Sequence, residues 1–96
     1  MDYFVGQILQ FPYYFAPEGW TLCDGKTIEI RSHEALFSLL GTNFGGDGHN
    51  TFGIPDLRPR DEHGNIMFEI KLGDMYQGKP YIPYYIAIDG VYPPRD

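Results

Sequence analysis

The chain is predicted to be mainly β with one short α-helix, an α+β arrangement, and three observations carry that prediction. Gly and Pro make up 12 and 8 of the 96 residues, which favours short elements joined by tight turns over long helices. Apolar and polar residues alternate over several short stretches, whereas only Ser32 to Gly41 carries helix signals. The 43% apolar and 17% aromatic content belongs to a globular chain, because chains that stay disordered are poor in rings. At this length a single domain over residues 1–96 is expected. Its stability margin is thin, since a body this small buries only about two thirds of its unfolded surface.

Taken in order, Val5 to Phe11 is β-compatible and stops at Pro12, which lacks a ladder donor, so it reads as a first strand. Tyr13 to Gly19, with three rings, a proline and a glycine, reads as a packed loop. Trp20 to Asp24 and Lys26 to Ile30 both alternate, and Asp24-Gly25 between them supplies the positive φ of a tight turn, which predicts a β-hairpin. Ser32 is the expected N-cap of a two-turn helix, Glu34 suits its positive end, and Gly41 stops it. The stripe Leu36, Phe37, Leu39 and Leu40 is expected in the core.

Asn43 to Gly53 is a loop dense in Gly, Asn and Asp. Its Gly45-Gly46-Asp47-Gly48 run lacks both the preceding strand and the Lys of a phosphate cradle, and Asp47 is its only carboxylate, too few for a calcium loop. These residues read as structural turns. Ile54 to Arg60 is extended, because residues preceding Pro55 and Pro59 are held out of the α region. Within it Asp56 is placed to clamp Arg58 or Arg60 by charge-assisted bonds, and an anionic ligand on the two arginines is the competing reading. Asp61 to Asn65 is a polar loop. Ile66 to Leu72 alternates as a half-buried strand, Gly73 to Tyr81 is a turn region, and Tyr84 to Ile88 is a last strand.

A net charge of −6 with no basic run argues against nucleic acid, whose phosphates require clustered Lys and Arg. Cys23 is a single cysteine, read as a small buried hydrophobe rather than a reactive thiol. Val5 to Phe11 is too interrupted for a signal peptide or a membrane span, so synthesis in the cytoplasm is expected. His33, His49 and His63 lack ligand spacing, although a threefold assembly could bring three copies of one histidine to its axis. No nucleophile elbow or zinc-protease pair occurs. The expectation is a protein that is not an enzyme and carries no cofactor or metal.

The aromatics are in excess of what a small core holds. Tyr13, Tyr14, Phe15 and Trp20 near the start and Tyr76, Tyr81, Tyr84, Tyr85 and Tyr92 near the end are amphipathic rings suited to places where surfaces meet. Tyr13, Tyr14, Trp20, Tyr84, Tyr85 and Tyr92 are therefore the candidate binding residues, packing between copies of the chain or against a surface glycan. Asp24, Gly25, Gly45, Gly46, Asp47, Gly48, Asp56 and Arg58 are the candidate structural turn residues.

Many ordered blocks then carry a family resemblance. Gly6-Gln7-Ile8, Phe15-Ala16-Pro17, Gly19-Trp20, Leu22-Cys23-Asp24-Gly25, Ala35 to Thr42, Gly45 to Gly48, Thr51-Phe52 and Pro55-Asp56-Leu57-Arg58 resemble the phage tail collar domain over about residues 6–60. The closing segment Tyr84, Ile86-Ala87, Gly90, Pro93 and Arg95 resembles the microcystin-dependent protein subgroup. The resemblance implies a compact collar-type domain, with 61–96 as short C-terminal strands. It also implies a homotrimeric component of a phage tail or contractile injection particle, in a fibre, tip or baseplate, contacting other tail proteins and taking part in host attachment. Pro59 stands where the family usually has glycine, and a compact 61–81 replaces the usual longer insert.

Overall fold

The computed structural model describes residues 3–94. Seven short strands and one helix follow in the order β1 (Ile8–Gln10), β2 (Trp20–Leu22), β3 (Thr27–Glu29), α1 (Glu34–Leu40), β4 (Thr51–Gly53), β5 (Met75–Tyr76), β6 (Lys79–Pro80) and β7 (Tyr84–Ala87). All strand pairs are antiparallel: a three-stranded sheet in the order β1-β7-β2, and two two-stranded ribbons, β3-β4 and β5-β6. The mainly β architecture with one helix is as the composition predicts.

β7 organises the molecule. It lies between β1 and β2 with Leu9 and Leu22 both opposite Tyr85, and alternation along a strand sends neighbouring side chains to opposite faces. Ile86 joins Val5, Cys23, Leu36, Phe52 and Ile54 on one face; Tyr85 and Ala87 join Trp20 on the other, flanked by Tyr3, Phe11 and Leu22. Trp20 pairs with Ala87, so the largest side chain meets one of the smallest. Two small cores thus share one central strand.

The expected hairpin between Trp20–Asp24 and Lys26–Ile30 does not form. Cys23 donates its N–H to the Tyr84 carbonyl, and β2 pairs with β7. Past Asp24-Gly25 the chain leaves that sheet: Ile54 N–H reaches the Lys26 carbonyl and β3 pairs with β4. Asp24 accepts the Lys26 N–H and bridges to Asp56, so the turn is real but serves as a corner between two sheets. A buried central strand needs a neighbour on each edge, and β2 supplies the one that β1 cannot.

Three other expectations change. The first strand is only Ile8–Gln10, because Gln7 N–H closes a turn on the Phe4 carbonyl while Val5 is buried. His33, not Ser32, is the N-cap of α1 and makes no side-chain cap bond; Gly41 ends the helix as expected, its N–H bonding the Phe37 carbonyl at 2.8 Å with φ 57°. Leu36 is fully buried, Phe37 and Leu40 pack at the edge of the core, and Leu39 stays 38% exposed. A seven-residue helix covering one side of a small core has room for only part of its apolar stripe.

The Ile66–Leu72 strand is also absent. Only Ile66 bridges, to Arg60, and the chain then turns, with Ile70 N–H on the Met67 carbonyl and Asp74 N–H on the Lys71 carbonyl. Alternation was present, but the turns at Met67–Ile70 and Lys71–Asp74 bend the segment before it can pair as a strand. The 73–81 turn region contains the β5-β6 hairpin, whose turn residues Gln77 and Gly78 have φ 53° and 83°, the left-handed geometry of a tight two-residue connection.

Candidate functional site

Residues Phe11 to Phe15 run irregularly past the end of β1, and Pro12 and alternation place Phe11, Tyr13 and Phe15 on one side. Their rings form a column: Phe11 to Tyr13 at 5.8 Å and 10°, Tyr13 to Phe15 at 5.7 Å and 14°. Its inner end is anchored, since Phe11 meets the Trp20 ring edge-on at 4.9 Å and Tyr85 at 5.8 Å. Tyr85 Oη donates to the Tyr13 carbonyl at 2.9 Å, fixing the backbone of the same segment. The outer end is open: Phe15 is 70% exposed and neighbouring Tyr14 86%.

The six candidate binding residues therefore divide. Tyr13 and Tyr14 present ring surface to solvent, whereas Trp20 and Tyr85 are buried and support the column from below. Burial pushes the Tyr85 phenol above its ordinary pKa. Tyr84 is half-buried against the first core, and Tyr92 Oη shares a 2.6 Å hydrogen bond with Ser38 Oγ of α1 on another part of the surface. Phe11 and Phe15 were missing from the candidate set, although the i, i+2, i+4 spacing of Phe11, Tyr13 and Phe15 around Pro12 is a readable signal.

The turn candidates are tied into the fold by hydrogen bonds and an ion pair. Asp47 Oδ1 accepts the N–H groups of His49 and Asn50 at 2.8 Å and of Thr51 at 3.0 Å, and these bonds hold its carboxyl down to about 2. Gly45 accepts the Gly53 N–H, Gly48 donates to the Thr51 carbonyl, and Gly46 lies against the Phe52 backbone. The loop is folded onto β4 by these contacts. Asp56 takes both arginines: Arg58 bidentately, Arg60 Nη2 at 3.1 Å. The Arg58 hydrogen bonds, ahead of the opposing effect of burial, lower the Asp56 pKa.

Beyond the clamp the extended path continues through Pro59, which is buried, and Tyr76 Oη both accepts the Arg60 N–H and donates to its carbonyl. The Arg58 guanidinium lies 5.5 Å from the centroid of the exposed Phe68 ring. Among the described residues no cluster of three His, Cys, Asp or Glu side chains is placed to hold a metal ion, and no helix is long and apolar enough to cross a membrane. What the surface offers is fixed aromatic area.

Comparison with known proteins gives one result. The family model of the Phage Tail Collar Domain matches residues 6–61, a span that takes in β1 to β4, α1, the Asp47 loop and the Asp56 clamp. No curated protein and no solved structure matches the chain. The segment resembling the microcystin-dependent subgroup lies past the matched residues, and Arg95 lies outside the described ones. Since the match spans more than half of its length, the chain belongs to the phage tail collar domain family and is a structural component of a phage tail.

Proposed function

We propose that the chain is a self-associating attachment module, a homotrimer that docks on another protein of the tail fibre, tip or baseplate. The observation that carries this reading is the ring column from Phe11 to Phe15, rooted in the interior and open at its outer end. A ring held in place loses little freedom when a partner covers it, and each aromatic side chain contributes roughly 150–250 Å² of contact area. Tyr14, Phe15 and Phe68 are 86%, 70% and 75% exposed, and exposed apolar surface of this kind is what a partner covers at an interaction site. Threefold association follows the family resemblance and enlarges a core that is small for one copy. Sedimentation velocity tests it: the unaltered chain is expected to sediment as a trimer and Phe15→Ser to move toward monomer. A monomer at high concentration, with no tail partner recovered from intact particles, overturns the reading.

The second reading is a receptor-binding tip in which the open faces of Tyr14 and Phe15 stack on a host surface glycan. Its supporting observation is the same outward ring surface, which suits the apolar face of a sugar. Saturable signal on a glycan array that is lost in Tyr14→Ala selects this reading, and a blank array selects the structural one.

A further inference from the structure

A cavity of about 290 Å³ opens between the Tyr13-Tyr14 loop and the chain that follows Pro59. Leu22 and Tyr85 line its sheet side, and Ile66, Met67 and Ile70 line the opposite side. It exists because residues 66–72 turn over the sheet instead of pairing with it.

The charges around this cavity run against those of the chain. The chain carries 13 Asp and Glu against 7 Lys and Arg, yet among the described residues the only charged ones lining the cavity are Arg58 and Lys71. Arg58 is engaged by Asp56 on its Nε and Nη2. Lys71 is exposed, and its ammonium makes no ion pair among the described residues. A cation without a side-chain ion pair therefore stands at the rim of a largely apolar hollow, with the Asp74 carboxylate held on the Lys71 backbone N–H at 2.8 Å.

The rings of Tyr13, Tyr14, Phe68 and Tyr81 also line the hollow. The Tyr85 hydroxyl is engaged by the Tyr13 carbonyl, and the aliphatic stretch of Leu22, Ile66, Ile70 and Leu72 would leave pyranose hydroxyls placed there desolvated without partners, which is costly. An engineered cavity of about 150 Å³ takes benzene, so this one has room for a ring with a short chain attached. We propose that the cavity binds a small amphipathic carboxylate, an aryl or short alkyl acid, with its apolar body between Leu22, Met67 and Tyr85 and its carboxylate on Lys71. Pockets that combine an apolar lining with a few oriented polar groups are the usual form of a small-ligand site. Tyr14 and Phe68 line this cavity and also belong to the ring surface offered for association, so the proposal is that the hollow stays open when that surface is covered.

Amide NMR titration of the full chain with phenylbutyrate, its neutral counterpart phenylbutanol and methyl glucoside tests it. Phenylbutyrate is expected to shift the Leu22, Met67, Lys71 and Tyr85 amides saturably, with a dissociation constant on the order of 1 mM or tighter. The acid is expected to bind about five- to tenfold more tightly than the alcohol, and the glucoside not to bind. Lys71→Gln, a change at an exposed side chain, is expected to abolish the preference for the acid while leaving the alcohol's affinity unchanged. Ile66→Trp, which fills the cavity, is expected to remove both ligands; its amide spectrum reports whether the fold persists, and if it does not, the Lys71 arm decides alone. Absence of saturable shifts, shifts that map elsewhere, equal affinity for acid and alcohol, or a preference that survives in Lys71→Gln each overturns the proposal.

Discussion

Asp56 holds Arg58 through two parallel hydrogen bonds, Nε donating to Oδ1 at 2.9 Å and Nη2 donating to Oδ2 at 2.8 Å. The pair sits where the two larger β units meet: Asp56 bridges Asp24, and Leu57 N–H reaches the Cys23 carbonyl. Bidentate, charge-assisted bonds at side chains only 21% and 29% exposed are stronger than an open surface pair. Asp56→Ala is expected to cost about 2 kcal/mol by leaving both guanidinium groups without their anion. Arg60→Ala, at the more exposed partner, is expected to cost less than about 1 kcal/mol. Urea denaturation of both variants measures the difference.

Three carboxylates tie stability to acid. Asp47, Asp56 and Asp61 are all held below the usual carboxylate range, Asp47 at about 2, mainly by backbone N–H donors for Asp47 and Asp61 and by the Arg58 side chain for Asp56. A depressed folded pKa means that the unfolded chain binds the proton more readily, so this stability is present above the unfolded value of about 3.9 and is lost as pH falls through the folded one. Unfolding free energy is therefore expected to decline between about pH 4 and 2. Asp47→Asn is expected to flatten that decline while lowering stability at neutral pH, as followed by acid titration of circular dichroism.

Cys23 is expected to be inert in the folded chain. It is 1% exposed, and burial, assisted by Asp24 and opposed by Lys26, pushes its thiol up to about 11. Since the thiolate is the reactive form, a thiol-specific dye at about pH 8 is expected to label the native protein far more slowly than the urea-unfolded one. The contribution of this group to stability is present below the unfolded thiol pKa and is lost as pH rises toward 11. Rapid native labelling would contradict the burial described for this core.

Two glycines separate steric need from conformational need. A Cβ at Gly53 would meet the Phe44 carbonyl, backbone that has no room to shift because Gly45 is hydrogen-bonded alongside. Gly64, with φ 84°, would meet nothing within 4 Å. Gly53→Ala is expected to cost more than about 3 kcal/mol, with β3-β4 pairing lost, and Gly64→Ala about 1 kcal/mol from the left-handed backbone alone. Thermal melts of the two variants check the ranking.

Elements governed by near neighbours were readable from the chain. The stop at Gly41, the Asp47 loop and the Asp56 clamp follow from residue types a few positions apart, and their geometry is set within a turn or two. The Trp20–Asp24 hairpin and the Ile66–Leu72 strand were misread because alternation reports that a segment is half-covered and not what covers it. The ring candidates were read as one class; burial then divided them, leaving Tyr13 and Tyr14 outward and Trp20 and Tyr85 inward.

Residue order alone was enough for the family, for a small β-rich domain with one helix, and for most turns, since backbone φ, proline and short-range hydrogen bonds act locally. Strand partners, the two-faced core about β7, the column from Phe11 to Phe15 and the cavity beside Lys71 came only with the folded chain. β2 and β7 lie more than sixty residues apart in sequence. Their pairing is selected by the burial of Trp20, Tyr85 and Ile86 together, a cooperative gain in apolar contact that no local segment contains.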